Sequence, residues 1–163
     1  MAQFIHLTDE RLSRSIERGG IKPGEVWDSV EKYVFATPAL DDFMVSHQWL
    51  RELKRRGIRT IAAVQFRIPD DEPVLVGSFG KEPVSTSAAG AFQVFRQHNS
   101  GMGLQVMIPR KVQPGELMRM YVPTQLVGWR YYPEAKGKKP CGCPACQRGE
   151  IMSRKLREAY EAE

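Results

Sequence analysis

An α+β fold is what this sequence predicts: a strand-rich body with two early helices, followed by a cysteine-rich loop and a last helix. Three observations carry that reading. The chain alternates β-α-β-α only at its start. From residue 60 onward, five β-rich runs follow with a single helical interruption. Turns rich in Pro and Gly separate the later runs, whereas a doubly wound fold would keep alternating helix and strand to the end.

The elements follow in chain order. QFIHL (3–7) reads as a short strand. A helix is expected from Thr8, with Thr8 as its N-cap, Asp9 and Glu10 in the first turn, and Leu12 and Ile16 four apart. Gly19 and Gly20 stop it, and Pro23-Gly24 makes a turn. Tyr33 to Ala36 is a second β segment closed by Thr37-Pro38. The clearest helix runs from a cap at Asp41 to Gly57, with Phe43, His47, Leu50 and Leu53 on one stripe. TIAAVQFRI (60–68) has the β-branched, apolar character of a central strand, and VLVGSF (74–79) follows a polar turn. Ser85 is expected to cap a helix reaching about His98. GLQVMI (103–108), LMRMYV (117–122) and LVGWRYY (126–132) supply three more strands, and a polar helix is expected over 149–161. The expected division is a body over residues 1–135 and a basic, cysteine-rich extension over 136–163, packed on the same domain.

Composition narrows the class. At 163 residues with 42% hydrophobic and 26% charged residues, the chain can bury a core of its own. No apolar run approaches a membrane span, and no basic-then-apolar leader opens the chain, so a cytoplasmic protein without a membrane partner is the expectation. The net charge of +5 is unevenly placed. Residues 51–59 carry five basic side chains and one acidic, residues 130–157 carry eight and two, and the remainder is net −5. Two basic blocks on an acidic body attract a polyanion. Arg55, Arg56, Lys138, Lys139 and Arg148 are therefore the candidate contacts to a nucleic acid, the alternative being a solvated helix face and a charged tail.

Motif chemistry is sparse. The sequence has no GxxxxGK[ST], GxSxG or HExxH and no GxGxxG after a strand. Each of the three histidines can then be weighed. His6 shares a strand face with Thr8, a pairing suited to a ligand's ribose or phosphate and equally to a core histidine bonded to a backbone carbonyl. His47 lies on an apolar helix stripe and needs a partner there, whether a core group, a metal or a site wall. His98 follows a helix end and reads as surface.

The stretch FIHLTDERLSRSIERGGIKPG…KYVFATP resembles the opening of the ADP-ribosyltransferase superfamily, close to its small bacterial DarT-like and RNA 2′-phosphotransferase-like branches. There, a strand with histidine and a hydroxyl residue leads into a helix ending in Gly-hydrophobic-x-Pro, and a second strand bears an aromatic residue. The resemblance covers about residues 4–38 well and loosens toward 122. It implies NAD as cofactor, with His6 and Thr8 on a ribose and Phe35, or Tyr33 two residues earlier, stacking on nicotinamide. Glu116, before a late strand, would act electrostatically on the nicotinamide ribose or as a base, His6 being the second catalytic candidate. The implied function is transfer of ADP-ribose, or processing of an RNA 2′-phosphate, on a nucleic-acid or protein acceptor. Phe35 departs from the family's usual tyrosine, so stacking is kept and a hydroxyl contact is lost.

The second constellation is Cys141-Gly-Cys143-Pro-Ala-Cys146. C-x-C-x2-C spacing between Gly and Pro can converge three sulfurs on one zinc ion, with His47 the first choice for a fourth ligand and His98 the second. Free thiols or a redox CxxC are the alternative. A zinc-held tail would set Trp129, Tyr131 and Tyr132 beside basic residues, and this supports a competing expectation: a non-enzymatic, zinc-stabilised nucleic-acid-binding module.

Overall fold

The computed structural model describes residues 1–25, 31–78, 81–98 and 101–124. In chain order these form β1 (Ala2–Asp9), a 3₁₀ turn (Glu10–Leu12), α1 (Ser13–Gly19), β2 (Gly24–Glu25), β3 (Lys32–Pro38), α2 (Phe43–Ser46) and α3 (Leu50–Arg55). There follow β4 (Ile61–Ile68), β5 (Pro73–Ser78), β6 (Val84–Ser87), α4 (Ala88–Gln97), β7 (Leu104–Ile108), a 3₁₀ turn (Pro114–Glu116) and β8 (Leu117–Tyr121). The α+β class is as expected: the strands pair in the order β6-β5-β7-β3-β1-β4-β8, every pairing is antiparallel, and β2 adds to the start of β3.

β3 joins the two halves of this sheet. Its last residues pair with β1, Pro38 with Phe4 and Thr37 with Ile5, whereas Val34 to Ala36 pair with β7. Beyond Ile5, β1 keeps its ladder to β4 as far as Asp9 opposite Ile61, but it has parted from β3. The main core fills the space between the halves. Phe4, Val64, Phe66 and Ile68 meet Val34, Ala36, Val74, Val76, Val106 and Ile108, with Ala88, Ala91 and Phe95 of α4 packed in. Phe4 anchors the cluster, its ring 6.0 Å from Phe66 and 5.5 Å from Phe92. β4 is buried on both faces except at Arg67, so its run of apolar residues belongs to a strand flanked on either side.

Several boundaries differ from expectation, each for a physical reason. Thr8 is not an N-cap: it stays in the β1 ladder opposite Ala62, and Asp9 accepts instead from the Arg11 amide, so the α-helix starts only at Ser13. Asp42 rather than Asp41 caps the next helix, accepting from the amides of Met44 and Val45 at 2.8 and 3.3 Å. That helix is not continuous to Gly57 but breaks between Ser46 and Leu50. Ser85 lies in β6 opposite Leu75, and the cap of α4 is Ser87, whose hydroxyl accepts from the Gly90 amide. β2 and β6 were not expected; both are short and polar, without alternating apolar residues. Gly20 ends α1 at φ +73, and a Cβ there would stand 2.1 Å from the Val112 carbonyl oxygen, so only glycine fits. The strand expected at 126–132, the helix at 149–161 and the whole 136–163 extension lie outside the described residues.

Candidate functional site

The parting of β1 from β3 leaves backbone groups that a regular ladder would have paired, and His6 meets one of them. Its Nδ1 lies 2.7 Å from the Phe35 carbonyl oxygen. A carbonyl only accepts, so Nδ1 carries the hydrogen. Burial outweighs this bond and pushes the imidazole pKa below its ordinary value, keeping the ring neutral at pH 7. A neutral ring protonated at Nδ1 presents Nε2 as an acceptor, and Nε2 has no protein partner among the described residues. Thr8, two residues on and of the same strand parity, is 7% exposed, and its hydroxyl likewise has no hydrogen bond among the described residues. An unpaired hydroxyl at that depth is a cost that no bond among the described residues offsets. Together the two present an acceptor and a donor-acceptor on one side of β1, a combination complementary to vicinal ligand hydroxyls.

The other expected residues fall unevenly. Tyr33 is buried and its hydroxyl donates to Glu31, a bond that with burial raises its pKa. Phe35 is half-buried. By alternation both rings lie opposite Val34 and Ala36, so what Phe35 gives His6 is its carbonyl rather than its ring. Glu116 caps its own 3₁₀ turn, accepting from the Gln113 amide at 2.7 Å, and accepts from Arg110 Nη1 and Nη2 at 2.7 and 2.6 Å. Arg110 in turn holds Glu72, the residue before β5, which clamps three chain segments together. The Arg110 guanidinium holds the Glu116 carboxyl below the usual range, so it stays an anion and is poorly suited to take up a proton. On the ladder, His6 is level with Val64 and Met120, whereas Glu116 lies in the 3₁₀ turn beyond the Phe66–Leu117 pair, past a register shift between Gln65 and Phe66. The structure therefore does not bring His6 and Glu116 to one atom; the two could only hold separate parts of an extended ligand.

His47 sits on the opposite side of the β1-β4-β8 layer. Its Nδ1 is 3.2 Å from the Phe43 carbonyl and its Nε2 accepts from the Tyr121 hydroxyl at 2.9 Å, with the Phe43 ring stacked on it at 4.2 Å. Both nitrogens are engaged, so a metal at His47 would have to displace Tyr121. Burial, then the Arg119 charge, lowers its pKa against the opposing pull of the Phe43 carbonyl. His98 is exposed at the end of α4, as expected. No group of three or more His, Cys, Asp or Glu able to hold a metal occurs among the described residues. Cys141, Cys143, Cys146, Lys138, Lys139 and Arg148 lie outside them, as does the side chain of Arg55, while Arg56 is exposed at the end of α3. No helix among the described residues is long and apolar enough to cross a membrane.

Two arrangements went unexpected. Gln48 is fully buried, donating to the carbonyls of Val45 and Gly101 and accepting from the Gly103 amide, while the Trp49 indole donates to Leu104. Gln65, 9% exposed, links Gln3 on β1 to Arg119 on β8. A glutamine amid the apolar run IAAVQFRI was the signal for the second; the first carried none. A scan of protein-family models and searches of curated proteins and of solved structures found no match to this chain.

Proposed function

We propose that this protein is an NAD-dependent transferase of the ADP-ribosyltransferase kind, acting on a nucleic-acid or protein acceptor. The observation that carries the reading is the parting of β1 from β3 with His6 held neutral across it, Nε2 and the buried Thr8 hydroxyl both without a partner among the described residues. These groups fit the donor's ribose: Nε2 accepts from one hydroxyl, and Thr8 exchanges a hydrogen bond with its neighbour. NAD supplies the glycosidic bond that breaks as nicotinamide leaves. Of the two aromatic candidates, Phe35 is the less buried and is the one assigned to stack on nicotinamide. Glu116, fixed as an anion, would stabilise developing positive charge rather than act as a base.

Calorimetric titration with NAD tests the reading. The wild-type chain should bind, His6→Ala and Thr8→Val should each weaken binding by about tenfold, and labelled NAD should leave label on an acceptor. An absence of binding, or affinity untouched by His6→Ala, would overturn it. Zinc at Cys141, Cys143 and Cys146 belongs to the same proposal as a structural ion, and elemental analysis of the purified protein showing a zinc ratio near zero would remove it.

A further inference from the structure

The face of β1-β4-β8 turned away from His6 holds a guanidinium whose position is set from both sides. Arg119 Nε donates to Gln65 Oε1 at 2.6 Å, and Gln65 is itself fixed by donating to Gln3 Oε1 at 2.8 Å. On the other side, the guanidinium carbon stands 4.8 Å over the Tyr121 ring, whose hydroxyl is tied to buried His47. An exposed arginine ordinarily samples many rotamers; this one has been ordered by neighbours that are themselves ordered. Its two terminal Nη groups have no acceptor among the described residues. Arg67, exposed, is on the same face of β4 two residues beyond Gln65, about 6.6 Å along the strand and past the register shift that follows the Gln65–Arg119 pair. Neither arginine has a carboxylate partner among the described residues. The Arg119 guanidinium is pre-formed for a planar, two-point contact, with Arg67 a second cation on the same face of β4 as Gln65.

We infer that this face is a phosphate-binding site, with Arg119 making the forked contact, Arg67 adding the second positive charge, and Gln65 acting as the positioning residue. The preference for phosphate over carboxylate follows from charge: a dianion answers both arginines, whereas a monoanion answers one. The site is on the far side of β1 from His6 and does not depend on the reading of that side.

The test follows the Arg119 Nε–H resonance of the full-length protein during titration with inorganic phosphate, against sodium chloride at matched ionic strength and against acetate. Phosphate should saturate the shift in the millimolar range, roughly 1–10 mM. Arg119→Gln, read by calorimetry, should weaken binding at least tenfold and Arg67→Gln about threefold, while Gln65→Leu should weaken it severalfold with both charges retained. Arg119→Lys should not restore full affinity, because it keeps the charge and loses the fork. Circular dichroism of each variant distinguishes a lost site from a lost fold. An equal response to chloride, an affinity unchanged in Arg119→Gln, or acetate binding as tightly as phosphate would overturn the assignment.

Discussion

Gln48 has no exposed surface and three hydrogen bonds, all within its own helical turn or to the Gly101–Gly103 loop. Gly101 and Gly103 both have positive φ, at 61 and 82, so that loop lacks a repeating ladder and relies on Gln48 for two of its backbone groups. Replacing Gln48 by Leu keeps most of the volume but strands a buried carbonyl and a buried amide, at a cost of about 1–3 kcal/mol each. Gln48→Leu should therefore lower unfolding free energy by about 3 kcal/mol in urea titration. A loss below about 1 kcal/mol would mean the loop finds other partners. Arg110 is organised differently, as a half-buried cation between two carboxylates, and water reaches it, so its net contribution is smaller than its number of bonds implies.

At the scale of elements, α4 shows what its cap contributes. Ser87 accepts from the Gly90 amide at 3.0 Å, and the helix carries Ala88, Ala91 and Phe95 into the core. Ser87→Ala should cost about 1 kcal/mol, measurable as a shift in the urea midpoint at unchanged slope, whereas Ser85→Ala on β6 should be nearly silent. The same helix shows why boundaries were harder to read than elements. Ser85 and Ser87 are equally good caps by type, and only the pairing of β6 with β5 decides between them. Thr8 failed as a cap for a like reason: the β4 ladder holds its backbone extended. The stripe Phe43, His47, Leu50 and Leu53 fits one helix, yet Ser46 bonds back to Leu40 and Gln48 turns to a distant loop, and those tertiary bonds break it in two. Long apolar runs such as 60–68 were legible because burial alone dictates them. Within the candidate site, His6 and Thr8 were legible from strand alternation. The engagement of Glu116 by Arg110 was not, since it depends on the Pro114–Glu116 turn folding back onto the residue that follows β7.

For the molecule as a whole, the buried histidines set how stability responds to pH. His6 and His47 are on opposite faces of β1-β4-β8, and in both burial is the largest influence, lowering the pKa from 6.5. The unfolded chain therefore binds more protons than the folded one between the folded pKa values and about 6.5, so stability rises with pH across that window. The contribution is fully present above 6.5 and is lost as the pH falls through the folded values. Glu116, also lowered, adds a second loss in the same direction below its ordinary value of 4.5. Acidification should thus destabilise the fold in two stages, histidines first and carboxylates later. Urea midpoints measured at pH 7.5, 6.5 and 5.5 should fall, and His6→Asn and His47→Asn should each flatten that fall whatever they cost at pH 7.5. A wild-type profile that is level from 7.5 to 5.5 would contradict the lowering of both histidines by burial, since equal proton uptake by the folded and unfolded chains leaves stability independent of pH.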